Sequence, residues 1–488
     1  MLQICVSLTE ASIEGVIRGM ARLAGRADLI EVRADLLEDM DLLAILRAKT
    51  EPLLFTCRSP AEGGGWGGGE TQRRRVLLEA VKRGFDYVDV ELAAGFTEVI
   101  AEKAGRGLVL SHHDLSGTPE NLADIYDRMR GLGADVAKIV TTPHSIADVG
   151  RLLEFAAHTS KGDGPPLVPI AMGPLGLITR LVAGRYGSPF TYASAAAGAE
   201  AAPGQLPVDL MADVYRVRQV SAATKVYGVL GTHVVTSLSP LLHNTAFEAA
   251  GVDAIYVPLQ AETLDAFLAA LPALGLSGFS VTRPYKEQIL PHLQKVDHPA
   301  MACGSVNTVN VEAGELYGST TDGPGLVTSL SKHIDVAGKR VVVIGAGGAA
   351  RAAAQALLGQ GAHVTLLARR RQSAEIAAGV LDCAFGDLAE IADHPWDILI
   401  NATPVGSGHL AHESPVPAIL HQPGTVVLDM VYDPLETILL QDARAVAATT
   451  IGGLEMLIAQ AAPQFELWTG QPVPTEAMES AAAELVGG

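Results

Sequence analysis

A glycine-rich segment that follows a short apolar run constrains the fold of the second half of this chain more than any other feature. Residues 341–344 are Val-Val-Val-Ile, a pattern typical of a parallel strand buried on both faces. Gly345, Gly347 and Ala350 then match the G-x-G-x-x-G/A turn, in which small residues permit a tight turn and close approach to a pyrophosphate. A helical segment at 349–358 would direct its N-terminus at phosphate. This order predicts a Rossmann domain that binds a dinucleotide.

The residues after the next predicted strand, 363–367, indicate which dinucleotide is bound. An NAD enzyme usually carries Asp or Glu at this point to hold the ribose 2′-hydroxyl. This chain instead has Arg369, Arg370 and Arg371. Because guanidinium groups suit a 2′-phosphate, the sequence favours NADP(H) over NAD.

Composition narrows the class of protein. A chain of 488 residues should hold two to four domains. Its net charge of −19 argues against nucleic acid and anionic membranes as partners. The 4 cysteines are widely separated, without C-x-x-C or His-Cys spacing, which predicts a reducing compartment and no metal site. Without a basic leader or about eighteen consecutive apolar residues, we expect a soluble, cytoplasmic protein.

The first half contains repeated strand and helix patterns. Eight apolar runs occur before residue 220, and seven of them are followed directly by a helical pattern. The runs are 3–7, 29–33, 53–58, 87–92, 108–113, 136–141, 167–172 and 190–193. Such units predict an α/β fold, either a closed (β/α)₈ TIM barrel or an open sheet.

Polar residues in these runs favour the closed barrel. They are Glu31, Arg33, Arg58, Glu91, His113 and Lys138. Side chains from so many strands converge only if the sheet closes, and the carboxyl ends of barrel strands form the rim that carries the chemistry.

Lys138 is the most informative of these residues. It shares one strand face with Val136 and Val140, so its side chain should point into the barrel. Burial favours the neutral amine, which can attack a ketone and form a Schiff base. A lysine at a strand end could instead extend to solvent. His113 and Glu91 on neighbouring strands favour catalysis, since they suit a general acid/base oriented by a carboxylate.

The first half resembles the type I 3-dehydroquinate dehydratases. The matching motifs are EVRAD (31–35), FTCRSPAEGG (55–64), DVEL (89–92), SHHD (111–114), AKI (137–139), MGPLGLITR (172–180) and APGQ (202–205). The resemblance implies that Lys138 forms an iminium with the substrate ketone. It also implies that His113 moves the proton and that Glu91 orients His113.

The same resemblance implies a set of substrate-binding residues. Arg180 would grip the ring carboxylate, because a guanidinium fork matches a carboxylate. The other implied contacts are Arg58, Glu31, Arg33 and Gln205. Ala201 departs from the family, which commonly has a hydroxyl residue there, so one substrate hydrogen bond is expected to be absent.

The second half resembles shikimate dehydrogenase. The matching motifs are YGVLG (227–231), SLSPLLHN (237–244), GFSVTRPYK (278–286), GSVNTV (304–309), TTDGPG (320–325), GAGGAAR (345–351), NATPVG (401–406), DMVYDP (429–434) and GLEMLIAQA (453–461). The resemblance implies that Lys286 and Asp322 are the catalytic pair. The implied substrate-binding residues are Ser237, Ser239, Thr282, Asn307, Tyr432 and Gln460. The implied cofactor-binding residues are Gly345, Ala346, Gly347, Gly348, Ala349, Arg369, Arg370, Thr403 and Gly453.

Some positions depart from the second family. Thr320 and Ser280 stand where asparagine is usual, and Thr236 stands where histidine is frequent. The usual N-R-T of the 2′-phosphate site is Ala368-Arg369-Arg370 here, which keeps the charge but alters the hydrogen bonds.

Together the resemblances imply two consecutive steps of the shikimate pathway. The first is dehydration of 3-dehydroquinate to 3-dehydroshikimate, and the second is NADPH-dependent reduction to shikimate. One alternative is a second half that acts on quinate with NAD, and a remote one is an inactive ligand-sensing protein. The predicted domains are 1–222 (barrel), 226–331 (substrate-binding, completed by helices in 454–488) and 332–453 (Rossmann). The sequence leaves the oligomeric state open.

Overall fold

Parallel strands alternate with helices along the first part of the chain. We analysed a computed structural model, which describes residues 1–103, 105 and 107–487, with side chains described to residue 484. The first strands are β1 (Gln3–Leu8), β2 (Leu29–Arg33), β3 (Leu53–Thr56), β4 (Tyr87–Glu91), β5 (Gly107–Asp114), β6 (Val136–Thr141), β7 (Leu167–Ala171) and β8 (Phe190–Ser194). The helices are α1 (Ile13–Leu23), α2 (Leu42–Arg47), α3 (Glu70–Arg83), α4 (Thr97–Ala101), α5 (Leu122–Gly131), α6 (Ile146–Thr159) and α7 (Leu177–Leu181).

These eight strands form a nearly closed barrel. Their order is β7-β6-β5-β4-β3-β2-β1-β8, with parallel pairing throughout. Apolar side chains such as Leu54, Val109 and Phe190 fill the interior with almost no exposure. The barrel prediction is therefore confirmed over the open sheet. Carboxyl ends of successive strands meet at one rim.

A smaller mixed sheet follows, in the order β10-β9-β11-β13-β14-β12. Its strands are β9 (Lys225–Gly231), β10 (Ala254–Gln260), β11 (Leu276–Val281), β12 (Lys295–Val296), β13 (Thr308–Glu312) and β14 (Glu315–Ser319). The accompanying helices are α8 (Ser239–Ala249), α9 (Leu264–Leu274), α10 (Tyr285–Gln288), α11 (His298–Cys303) and α12 (Asp322–Ser331). The antiparallel pairing of β13 with both β11 and β14 distinguishes this sheet from the barrel.

The last sheet is parallel and has the order β17-β16-β15-β18-β19-β20. Its strands are β15 (Arg340–Ile344), β16 (His363–Ala368), β17 (Ala384–Asp387), β18 (Ile398–Asn401), β19 (Val426–Asp429) and β20 (Thr449–Ile451). The helices are α13 (Gly348–Gly359), α14 (Arg371–Leu381), α15 (Ile438–Ala445), α16 (Gly453–Thr469) and α17 (Thr475–Gly487). Counted within this sheet the order is 3-2-1-4-5-6, which confirms the Rossmann prediction and puts the switch point between β15 and β18.

The chain divides into two compact units, each made of three segments that are not consecutive in the sequence. The first unit comprises Met1–Gly228, Thr232–Pro240 and Asp253–Leu276, and the second comprises Val229–Gly231, Leu241–Val252 and Ser277–Gly488.

Within the first unit, α9 packs on the barrel helix α6. A Cβ added to Gly150 would lie 3.1 Å from the Cβ of Ala270, so the two helices approach closely at this point. The Ile146 N–H also donates to Glu262 Oε2 at 3.2 Å.

Within the second unit, α16 packs against the mixed sheet. Gln464 Nε2 donates to Thr308 Oγ1 at 3.0 Å, and Trp468 Nε1 donates to the Val309 carbonyl at 3.2 Å. A helix that follows the Rossmann sheet in sequence therefore packs on the mixed sheet.

Candidate active sites

The barrel residues singled out from the sequence lie around one pocket at the carboxyl ends of the strands. Those lining it are Glu31, Arg33, Arg58, His113, Lys138, Arg180 and Gln205. Further lining residues that the sequence did not indicate as ligands are Thr56, Val140, Ile170, Met172, Tyr192 and Ala202, and Ala201 lies with them. Glu91 is the predicted residue that does not line the pocket.

Lys138 is buried near the centre of β6, with 5% of its surface exposed. Its Nζ is 3.3 Å from Asp89 Oδ2 and 4.0 Å from Glu31 Oε1. It also lies 4.3 Å from the ring centroid of Tyr192. The two carboxylates and the aromatic face can stabilise a positive charge at this nitrogen. The site therefore suits a positively charged iminium.

Asp89 is held ionised by its neighbours. Its Oδ2 accepts from Arg58 at 2.8 Å and its Oδ1 accepts from Ser111 Oγ at 2.6 Å. Burial alone would raise the pKa of Asp89, but the charges of Arg58 and Lys138 lower the pKa to about 2. The pocket thus contains an anion that is shared between the Arg58 guanidinium and the Lys138 amine.

The predicted contact between Glu91 and His113 is wrong. Glu91 instead accepts from the Ser59 N–H at 2.7 Å and lies 3.0 Å from Arg73 and 3.4 Å from Arg58. In the strand register Glu91 is opposite Ser111, so His113 lies two residues farther toward the rim, beyond the end of β4. The Glu91 carboxylate on β4 therefore lies too deep in the barrel to contact the His113 ring.

Glu62 occupies the position beside His113 that the sequence assigned to Glu91. It lies in the short helical turn after β3, and its Oε2 is 2.8 Å from His113 Nδ1 and 3.1 Å from the His113 backbone nitrogen. Burial raises the pKa of Glu62 to about 7. Burial and the charge of Arg58 lower the pKa of His113 well below its usual value. When Glu62 is ionised and accepts from Nδ1, the Nε2 of His113 is left as a base.

The three pocket arginines differ in how far their charges are already neutralised. Arg33 forms a bidentate pair with Asp35 at 2.9 and 2.7 Å, and Arg58 is surrounded by carboxylates. Arg180 is 2% exposed, donates to the Pro203 carbonyl at 3.3 Å, and has a buried Nε without a hydrogen-bond partner among the described residues. Burial lowers the pKa of Arg180 to about 10. A carboxylate ligand would satisfy this cation.

Gln205 is fixed by contacts within the protein. Its Oε1 accepts from the Ala201 N–H at 2.7 Å, and its Nε2 donates to Ser7 Oγ at 3.3 Å. Ser7 Oγ in turn donates to Glu31 Oε2 at 2.6 Å.

A second cluster of predicted residues lies between the mixed sheet and the Rossmann sheet. Lys286, on α10, forms an ion pair with Asp322 at the start of α12. Asn307 Nδ2 donates to Asp322 Oδ1 at 2.7 Å and lies 3.3 Å from Gln460 Oε1 on α16. The structure thus brings together four of the residues named from the sequence.

The other predicted substrate residues are located as follows. Thr282 follows β11 and donates its N–H to the Leu230 carbonyl at 2.9 Å. Ser237 Oγ accepts from the Ser239 N–H at 3.2 Å at the beginning of α8, and Tyr432 follows β19. Their contacts with substrate remain predictions.

The sequence did not identify Gln464, one helical turn after Gln460. Gln464 Oε1 accepts from Ser280 Oγ at 3.0 Å and lies 3.2 Å from His243 Nε2. The i, i+4 spacing on α16 was the available signal. Ser280, a departure from the family pattern, here supports this amide.

The turn between β15 and α13 has the geometry of a phosphate cradle. Gly345 has φ +127°, Ala346 and Gly347 follow, and α13 begins with Gly348 and Ala349. A Cβ on Gly348 would lie 2.4 Å from Ser305 Oγ, so a side chain at this position would collide with Ser305. The first amides of α13 lack intrahelical partners and can bind phosphate oxygens.

The remaining cofactor residues surround this cradle. Arg369 and Arg370 are exposed after β16 and form no ion pair within the described part of the chain, whereas Arg371 pairs with Glu390 at 3.1 Å. Thr403 is fixed to Asn401 Oδ1 at the end of β18. A side chain on Gly453 would clash with the Val431 carbonyl at 2.4 Å. These features fit a nicotinamide dinucleotide.

Fold and sites together define an enzyme that joins a lyase barrel to an NAD(P)-dependent oxidoreductase. Family models match consecutive parts of the chain: type I 3-dehydroquinase at 4–222, the shikimate dehydrogenase substrate binding domain at 229–309, a putative NAD(P)-binding domain at 333–407 and the shikimate 5′-dehydrogenase C-terminal domain at 453–483. The chain belongs to the family of bifunctional 3-dehydroquinate dehydratase/shikimate dehydrogenases. It carries a lyase and an oxidoreductase activity of the shikimate pathway.

Individual relatives support this assignment. The chloroplastic bifunctional 3-dehydroquinate dehydratase/shikimate dehydrogenase of Arabidopsis thaliana is 36% identical over 479 residues, covering 92% of this chain and 79% of the relative. The NADP(+) shikimate dehydrogenase of Pyrococcus abyssi is 40% identical over 265 residues, covering 54% of this chain and 99% of the relative. The crystal structure of the shikimate 5-dehydrogenase of Thermus thermophilus with NADP(H) and shikimate is 35% identical, with a TM-score of 0.50. It matches 54% of this chain and 99% of its own.

Two further observations concern the described residues alone. None of their helices is both long and apolar enough to cross a bilayer. No cluster of His, Cys, Asp and Glu among them has the geometry of a metal site. The cellular compartment remains a prediction.

Proposed function

We propose that Lys138 dehydrates 3-dehydroquinate through an imine. The amine attacks the ketone carbon, and water leaves to form the iminium. His113 then takes a proton from the adjacent carbon, and the electron pair passes toward the iminium nitrogen. When the neighbouring hydroxyl leaves, it takes the proton from His113 and departs as water. Hydrolysis of the remaining imine releases 3-dehydroshikimate and regenerates the amine.

The observation that carries this proposal is the surroundings of Lys138. Its Nζ lies 3.3 Å from the ionised Asp89, which can balance the iminium charge. His113 lines the same pocket and is oriented by Glu62 at 2.8 Å. Arg180 supplies a buried cation for the substrate carboxylate. We further propose that Glu31, Arg33, Arg58 and Gln205 shape the part of the pocket that receives the ring hydroxyls.

We propose that Lys286 supplies the proton when 3-dehydroshikimate is reduced. A bound NADPH would supply the hydride. The new alkoxide oxygen then takes a proton from the Lys286 ammonium, which Asp322 holds in place. Asn307 and Gln460 lie beside this pair and can bind the ring hydroxyls. The remaining proposed substrate ligands are Ser237, Ser239, Thr282 and Tyr432.

NADP is the proposed physiological cofactor. Arg369 and Arg370 are exposed at the end of β16, where a 2′-phosphate would lie. The alternative of quinate with NAD has no comparable support in the site. Steady-state rates with shikimate and quinate, each with NADP and NAD, test the choice, and a clear preference for quinate with NAD contradicts it.

The proposed domains are 1–222, 226–331 completed by helices in 454–488, and 332–453. The matched family ranges support these bounds. So does the packing of Gln464 and Trp468 of α16 on β13.

A coupled assay tests the whole sequence of reactions. With 3-dehydroquinate and NADPH as the only reactants, we expect NADPH absorbance to fall. Borohydride added with substrate should leave a permanent mass increment on the peptide that contains Lys138. Dehydration that persists without any modification of that peptide would contradict the imine mechanism.

A further inference from the structure

We propose that the hydroxyl of Tyr192 binds the substrate carboxylate beside Arg180 and supplies the hydrogen bond that Ala201 lacks. This inference rests on the proposed dehydratase function of the barrel pocket.

Tyr192 is a buried residue of the pocket wall. It lies on β8, opposite Cys5 of β1, with 2% of its surface exposed. Its hydroxyl makes no hydrogen bond to any described residue. A buried hydroxyl without a partner costs free energy, whereas a phenylalanine of nearly the same shape would avoid that cost. An unpartnered hydroxyl in the wall of a ligand pocket therefore points to a ligand.

Arg180 presents a second unpartnered donor to the same pocket. Its Nε is buried without a hydrogen bond to the described residues, and both side chains line the cavity together with Ala201. Burial, together with the neighbouring charge of Glu31, raises the pKa of Tyr192 well above its usual value, so the phenol keeps its proton and can donate. A carboxylate has two oxygens and the negative charge that suits a guanidinium, so it can accept from both groups at once. A ring hydroxyl is neutral and has a single oxygen, so it is the weaker match.

The Glu31 carboxylate is held by other donors. Glu31 Oε2 accepts from Ser7 at 2.6 Å, and its Oε1 accepts from Thr56 at 2.9 Å. The Tyr192 hydroxyl donates to neither oxygen nor to any other described residue, so it is available to a ligand.

Position 201 explains why this chain would use a tyrosine. In the resembling family a hydroxyl residue commonly occupies the position of Ala201, and alanine has no side-chain donor. Tyr192 reaches the same pocket from β8 and has the donor that is missing from the loop. The substrate would then meet the same number of donors through a different residue.

The ring of Tyr192 has a separate role that the test must exclude. Lys138 Nζ lies 4.3 Å from the ring centroid, so the aromatic face stabilises the cation. Tyr192→Phe keeps this face and removes the hydroxyl alone.

The experiment measures dehydratase kinetics of the full-length chain. For Tyr192→Phe we expect the KM for 3-dehydroquinate to rise roughly 10- to 100-fold, as for loss of a hydrogen bond to a charged group. We expect kcat to change by less than about threefold, because the same interaction is made before and during the reaction. Borohydride trapping on Lys138 should persist at saturating substrate.

Two further variants make the result specific. Tyr126→Phe removes another largely buried phenol, which donates to the Pro165 carbonyl at 2.7 Å away from the pocket, and should leave KM unchanged. The double variant Tyr192→Phe/Ala201→Ser returns a hydroxyl to the loop and should recover most of the affinity. Shikimate dehydrogenase activity of each variant reports that the chain is folded.

Each outcome decides the proposal. An unchanged KM in Tyr192→Phe, an equal rise in Tyr126→Phe, or failure of Ala201→Ser to restore affinity overturns it. If the unmodified protein shows neither dehydration nor trapping, the proposed dehydratase function fails instead, so the two failures are distinguishable.

Discussion

The two lysines that we propose as catalytic are both paired with a carboxylate, but the pairs are built differently. Lys138 lies 3.3 Å from Asp89, which also binds the guanidinium of Arg58 and the hydroxyl of Ser111. Lys286 is paired with Asp322, whose other described donor is the neutral amide of Asn307. One lysine shares its anion with a second cation, and the other does not.

This difference matches the chemistry that each amine is proposed to perform. A Schiff-base lysine must give up a proton before it attacks, so a neighbouring anion must not hold the ammonium too strongly. A proton donor must arrive charged, and an undivided carboxylate favours that state. Similar carboxylate contacts therefore serve opposite requirements, because Arg58 is present in only one of them.

Replacing each lysine gives the largest expected effect. Lys138→Ala should abolish dehydration and borohydride trapping while the reductase remains active. Lys286→Ala should lower the reductase rate by roughly 10²- to 10⁴-fold and leave dehydration intact. Separate assays of both reactions on each variant check this. A variant that loses both activities would indicate misfolding or an incorrect assignment.

Removing each carboxylate tests the shared-anion interpretation directly. In Asp322→Asn the Lys286 side chain loses the carboxylate that holds it, so reductase kcat/KM should fall by roughly 10²-fold. In Asp89→Asn, Lys138 and Arg58 remain in the pocket without the carboxylate that both contact. Dehydration should then slow by roughly tenfold, because that anion no longer balances the iminium charge. A dehydration rate that does not fall in Asp89→Asn would contradict the interpretation.

Glu62 should control the pH dependence of dehydration. Because burial raises its pKa to about 7, the ionised form that leaves His113 Nε2 as a base is gained as pH rises through about 7. Dehydratase kcat/KM should therefore fall below that pH. Glu62→Gln cannot titrate, and its acid limb should shift to lower pH toward that of His113, whose own pKa is depressed. Glu91→Gln is the comparison: it removes one nearby charge that raises the pKa of Glu62, so the limb should move to lower pH by less than in Glu62→Gln, because Glu62 still titrates.

Asp429 is a reference carboxylate without a cation and should give the smallest effect. Its donors are the neutral groups of Asn401, Thr437 and the Val431 N–H, and burial raises its pKa to about 6. A raised pKa stabilises the fold below about pH 4, and that contribution is lost as pH rises through about 6. The free energy of unfolding should fall by at most about 3 kcal/mol over this range, and Asp429→Asn should lack the fall. Chemical denaturation at pH 4 and pH 7 measures it.

Strand positions and inward-facing residues could be predicted because period-two alternation is a local property. The strands at 29–33 and 136–141 were predicted to the residue, and Lys138 lies in the pocket as expected. The carboxylate partner of His113 could not be predicted reliably. Its identity depends on the stagger between β4 and β5 and on the height of the loop after β3, neither of which is encoded in local spacing.

Which polar side chains already have hydrogen-bond partners also could not be predicted from the sequence. Arg33, Arg58 and Arg180 cannot be distinguished from the sequence. The structure shows that, of these three, Arg180 is the one without a carboxylate partner. Tyr192 likewise reads as an ordinary strand aromatic. It becomes a candidate ligand-binding residue because its hydroxyl has no hydrogen-bond partner among the described residues, which a single sequence does not reveal.

The close packing of α6 on α9 has a practical consequence for anyone who wishes to separate the two enzymes. The obvious place to cut is just after residue 222, where the predicted barrel domain ends, but α9 lies beyond that cut and contacts the barrel helix α6 where Gly150 faces Ala270. A truncated reductase would carry a bare apolar helix surface into water, and poor solubility or self-association would follow unless that surface were redesigned.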